Sequence, residues 1–113
     1  MTQLNLGVAL QTLGTREGGA TRLEEAVAAY RAALDRDPLP IDQANTQFNM
    51  GQALIELGRR EEALRCFHQA EAVFRAVGMA QQAAASGQWI ISLRGEMEPN
   101  SAGTAARIPL TPN

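Results

Sequence analysis

Residues 2–14 read TQLNLGVALQTLG, and residues 46–58 read TQFNMGQALIELG. Eight of the thirteen positions are identical, in the same order, 44 residues apart. Read as helices, the copies carry apolar stripes at i, i+3, i+4 and i+7. These are Leu6, Ala9, Leu10 and Leu13 in the first copy and Met50, Ala53, Leu54 and Leu57 in the second. Each copy closes on a glycine, Gly14 or Gly58, which predicts a helix stop. A second apolar pair stands on the far side of each helix, Leu4 with Val8 and Phe48 with Ile55. A helix apolar on two sides is either sandwiched or lines a binding surface.

A second helix is predicted after each copy. Thr21-Arg22-Leu23-Glu24 has the spacing of a capping box. It opens a helix over about 22–36, with Leu23, Ala26, Val27, Tyr30, Ala33 and Leu34 as the apolar face. Pro38 and Pro40 predict its end. Asp42 is the expected cap of the next helix, about 42–57. The matching second helix covers about 60–77, with Ala63, Leu64, Phe67, Ala70, Val73 and Phe74 inward and Gly78 as its stop. A fifth helix over about 80–94 holds Ala83, Trp89, Ile90, Ile91 and Leu93. Residues 96–113 mix Gly, Pro and small polar residues without periodicity and read as a flexible tail. The result is an all-α repeat architecture, two helical hairpins of matching sequence plus one further helix.

Length and composition exclude most other classes. A chain of 113 residues accommodates one small domain, so residues 1–95 are expected to form it. Within it, repeat one covers 1–38, repeat two 42–78 and the terminal helix 80–94. Net charge is −2 with no basic run, which argues against a nucleic-acid partner. No apolar run approaches the roughly 18 residues of a membrane span. The start MTQLNLGVAL lacks the basic segment of a signal peptide, so a cytoplasmic location is expected. Cys66 is alone, which excludes an internal disulfide or a Cys-based zinc site. His68 is the sole histidine, midway along a helix. The pairs Glu24-Glu25 and Glu61-Glu62 sit in first turns, where they complement the helix dipole. Adjacent residues point apart, so neither pair is an acid–base dyad. No cofactor, metal or catalytic activity is expected.

The conserved letters of the two copies form a recognisable set. In the first repeat they are Leu6-Gly7, Ala9-Leu10 and Leu13-Gly14, followed by Ala26, Tyr30, Ala33 and Pro38. In the second they are Met50-Gly51, Ala53-Leu54 and Leu57-Gly58, followed by Ala63, Phe67 and Ala70. Over residues 2–77 this pattern resembles the tetratricopeptide repeat family. The resemblance implies a right-handed helical-hairpin solenoid of two repeats plus a terminal helix. Gly7 and Gly51 would then admit the second helix of each hairpin, while Tyr30 and Phe67 fill the gap between hairpins. The first repeat carries about seven extra residues, EGGATRL (17–23), and is similar to a longer bacterial variety with a Gly-Gly loop. Ile90 stands where Gly7 and Gly51 stood, which suits a terminal capping helix.

The resemblance also implies a function, a protein-interaction module whose first helices line a groove for a partner peptide or helix. The groove positions are Leu4, Asn5, Val8, Gln11, Asn45, Phe48, Asn49, Gln52, Ile55, Gln88 and Ile91. Asn5 and Asn49 hold positions from which family members hydrogen-bond a ligand backbone, and an amide both donates and accepts. The positions that would grip a terminal carboxylate hold Met1, Ala84 and Gln88, so a mixed apolar and amide groove is expected. The alternative reading is a structural unit that pairs with itself as a homodimer or extends a longer solenoid. Trp89, Ile90 and Leu93 are the expected self-association patch, because successive apolar residues cannot all face one hairpin.

Overall fold

The computed structural model describes residues 3–36 and 39–97. They form five helices: α1 (Gln3–Glu17), α2 (Ala20–Arg36), α3 (Pro40–Glu56), α4 (Arg60–Ala76) and α5 (Ala80–Met97). No strand occurs among the described residues. Each helix packs on its neighbours in sequence, and α1 also touches α3. The architecture is an all-α helical-hairpin repeat solenoid. Pro38 and the residues of the expected tail from Glu98 onward lie outside the described residues, as does the side chain of Leu4.

Glycines of the repeated phrase let the hairpins close. A Cβ on Gly7 would stand 2.5 Å from Tyr30 Cε1, and one on Gly51 would stand 2.7 Å from Phe67 Cζ. Both rings are fully buried. Burying such a side chain is worth about 1.5–3 kcal/mol, so the bare backbone of each glycine admits a large stabilising contact. Phe67 also joins the second hairpin to the last helix. Its ring takes the edge of Phe48 from α3, with centroids 5.4 Å apart, and stacks on Trp89 from α5 at an interplanar angle of 8°. Aromatic pairs in these geometries add about 0.5–1.5 kcal/mol beyond area burial.

Four expectations about helix ends and connections are corrected. Gly14 does not stop α1, which runs on to Glu17. Gly18 supplies the left-handed residue instead, with φ 67°, and Gly19 N–H donates to the Gly14 carbonyl at 3.0 Å. Gly14 is a second close-approach site, since a Cβ there would lie 2.9 Å from Leu23 Cγ. The first hairpin has no long loop either. Compared with the second, α1 runs five residues further, α2 begins three residues earlier, and the connection is one residue shorter. The seven extra residues are therefore absorbed as helix. Thr21 consequently lies within α2, and the Glu24 carboxylate pairs with Arg59 rather than closing a capping box. Pro40 starts a helix rather than ending one. Leu39 is the cap and Pro40 the first helical residue, where its missing N–H costs nothing.

Gly58 and Gly78 do stop their helices, each at φ 81°. Arg59 N–H donates to Leu54 O and Gly58 N–H to Ile55 O, the paired bonds of a Schellman ending. Met79 and Gly78 repeat the arrangement on Phe74 and Arg75. Two ion pairs tie the hairpins together on the surface, Arg59 with Glu24 and Arg31 with Glu62 at 3.0 Å. Both are solvent-exposed, so each contributes about 0–1 kcal/mol.

Candidate functional site

The odd-numbered helices run in one direction, because each connection reverses the chain. Two depressions lie along them. The first, about 320 Å³, sits between α1 and α3 and is lined by Val8, Gln11, Thr12, Thr15, Arg16, Asn49 and Gln52. The second, about 380 Å³, lies between α3 and α5 and is lined by Asn45, Phe48, Phe74, Gln81, Gln82 and Ala85. Residues 45, 48, 49 and 52 follow helical spacing, so one face of α3 feeds both depressions. The α1–α3 depression is rich in hydroxyl and amide groups, while the other has an aromatic floor.

Six of the eleven expected groove positions are brought to these depressions: Val8, Gln11, Asn49 and Gln52 to the first, Asn45 and Phe48 to the second. Asn5 is exposed on α1, and Gln88 and Ile91 are exposed on α5, with Ile91 68% accessible. Ile55 is half-buried and packs on the core, as does Phe48. Of the expected self-association patch, Ile90 and Leu93 are buried in the core of this chain and Trp89 is half-buried on Phe67. The outward member of the run is Ile91.

Gln11 has a structural task that the sequence pattern does not reveal. Its carbonyl accepts the Tyr30 hydroxyl at 2.6 Å, and its amide donates to Glu56 at 3.3 Å. The Thr15 hydroxyl donates to the other oxygen of Glu56. One carboxylate thus fastens α1 to α3 and orients an amide that lines the α1–α3 depression. Burial, and then the charge of Glu56, raise the Tyr30 phenol above its ordinary range, so it remains a donor. Helical alignment of the two copies places Glu56 on the groove side, whereas nothing in residue type points to Thr15 or Arg16. A usable signal was that Thr12 of the first phrase becomes Glu56 in the second, and Gln11 becomes Ile55.

Among the described residues, no nucleophile lies beside a base in the manner of a catalytic constellation. His68 is exposed. The Cys66 thiol is buried and pushed up to about 11, by burial first and by Glu62 next, against the opposing pull of Arg31 and Arg65. No group of three metal-ligating side chains occurs among the described residues. No helix among them is long and apolar enough to cross a membrane. A larger depression of about 460 Å³ at the α3–α4 turn is lined by both signs of charge. Its Arg59 and Glu62 are already paired with Glu24 and Arg31, so it reads as a solvated helix start.

The fold and this face define a helical-hairpin repeat of the kind that presents a surface to other macromolecules. Residues 1–39 and residues 44–75 each match a family model described as tetratricopeptide repeat. The chain belongs to the tetratricopeptide repeat family, whose members are in general protein-interaction modules rather than enzymes. No curated protein and no solved structure matches the chain significantly.

Proposed function

We propose that this chain is an adaptor that binds a segment of a partner protein along the face shared by α1, α3 and α5. The observation that carries this reading is the pair of depressions fed by one face of α3. Asn49 and Gln52 supply main-chain hydrogen bonding on one side, and Phe48 and Phe74 supply apolar contact on the other. An extended segment needs both, because its backbone must keep its hydrogen bonds when it leaves water. Arg16 is the one cation in the α1–α3 depression, and Glu56 beside it is already shared by Gln11 and Thr15. The groove therefore favours a largely uncharged segment over a strongly acidic one.

The test uses side chains that line the groove without filling the core. Partner proteins are captured with the wild-type chain, identified, and their affinity is measured against Val8→Asp and Asn49→Arg. At least tenfold weaker binding with unchanged thermal unfolding is expected. Equal affinity of both variants for every captured partner would remove the groove from consideration.

A further inference from the structure

We infer that the α1–α3 depression reads a primary amide, so that the partner segment inserts an asparagine or glutamine side chain there. This rests on the groove reading above and names the side chain that the groove selects. The deciding observation is where the hydroxyl protons go. Thr12 donates to the Val8 carbonyl at 2.9 Å, and Thr15 donates to Glu56. A hydroxyl has one proton and two lone pairs, so both threonines meet a ligand only as acceptors. Gln11 cannot turn over to reverse this polarity. Its carbonyl accepts the Tyr30 hydroxyl, and its amide donates to Glu56, a carboxylate that only accepts. The second N–H of that amide joins Arg16, Asn49 and Gln52 as a donor to the same depression.

Spacing and charge decide among ligand groups. Thr12 and Thr15 are three apart on α1, and side chains so placed stand about 5–6 Å from one another. An NH2 group that donates twice, at about 2.9 Å and about 120° apart, bridges acceptors about 5 Å apart. A main-chain amide has one N–H and serves only one of the two threonines. An ammonium group could serve both, but it meets Arg16 in the same depression. A carboxylate brings no proton for either hydroxyl and meets the like charge of Glu56. A primary amide is neutral, donates twice and accepts at its oxygen, so it uses both halves of the site.

The probe is a positional-scanning library of capped, otherwise neutral hexapeptides. Each position is fixed in turn as Gln, Asn, Leu, Lys or Glu, and binding to the full chain is read by fluorescence polarisation. One position should favour Gln or Asn over the other three by about tenfold, the worth of two hydrogen bonds. Thr12→Val should erase that preference. Glu56→Gln removes the charge beside the depression and supplies an N–H for Thr15, so Glu peptides should gain on Gln peptides. These are ratios between ligands, which a purely structural role of Thr12 or Glu56 would not move. An amide preference that survives Thr12→Val, or a library with no amide preference at any position, would overturn the proposal. If that happens while Val8→Asp and Asn49→Arg still weaken the tightest peptide, the groove reading stands without its amide specificity. A chain that binds no peptide up to millimolar concentration overturns both.

Discussion

The stripe Leu6, Ala9, Leu10 and Leu13 and the stripe Met50, Ala53, Leu54 and Leu57 occupy the same places in the same phrase, yet they meet different fates. In α3, Met50, Ala53 and Leu54 are 6%, 0% and 1% accessible, because α2 covers one flank and α4 the other. In α1, Leu6 and Leu13 remain 38% and 40% accessible, with only α2 as a full-length neighbour. Burial of a repeat residue is therefore a property of the stack around it, as expected where each unit contacts only its neighbours. The sequence motif specifies a face, and the preceding helix determines whether that face is core.

The sharpest way to break this comparison is to truncate equivalent leucines. Leu54→Ala should cost about 2–5 kcal/mol in urea unfolding, as for a fully buried leucine. Leu10→Ala, at the equivalent but only half-buried position, should cost less than half as much. Equal losses would mean that α1 is covered in solution by something absent from this chain's own fold.

The two phrase-ending glycines offer a second, smaller contrast. Gly14→Ala places a methyl group 2.9 Å from Leu23 Cγ and 3.1 Å from Leu23 N, so α1 and α2 must separate. Overpacking of this kind costs about 1–3 kcal/mol. Gly58→Ala meets nothing within 4 Å but must hold φ at 81°, a strain of about 1–2 kcal/mol. Asparagine tolerates that conformation, so Gly58→Asn should recover part of the loss while Gly14→Asn should not. Thermal unfolding of the four variants separates clash from strain.

Next in size is the bond from Tyr30 to Gln11 inside the first hairpin. Gln11→Leu leaves the buried Tyr30 hydroxyl without its acceptor, a loss of about 1–3 kcal/mol. Tyr30→Phe in the same chain should restore most of it, and a double-mutant cycle in urea reads the coupling. The smallest effect is on pH dependence. Cys66 and Tyr30 hold their protons to higher pH when folded than when unfolded, so unfolding releases protons. Stability should be flat near neutrality and fall as pH rises from about 9 to about 11, with Cys66→Ala removing part of the slope. A flat profile through that window would show the thiol to be less enclosed than its 6% accessibility indicates.

Much of the fold was legible in the residues because helical periodicity is local. The alternation of helices, the inward faces of α2 and α4, and the stops at Gly58 and Gly78 all follow from spacing within one hairpin. The first hairpin was misread at Gly14 because the same letter serves as a stop in one copy and a close approach in the other. Which role applies depends on whether helix-compatible residues follow. After Gly14 come Thr15, Arg16 and Glu17, which continue the helix until Gly18-Gly19 interrupts it. The face that carries the two depressions was only partly legible. Its residue types point outward by helical geometry, but the contact of Gln11 with Glu56 spans 45 residues and belongs to the angle between hairpins. Ile90 and Leu93 likewise turn inward because α4 offers them Phe67 and its neighbours, a fact of helix pairing rather than of composition.

The stack of Trp89 on Phe67 gives the molecule a built-in optical probe. Trp89 is the chain's single tryptophan, and its ring rests where α5 meets the ring that joins α3 to α4. Its emission colour therefore reports on one seam and no other. A ligand that pries α5 from α4 will redden it, and a change confined to the α1 end will leave it untouched.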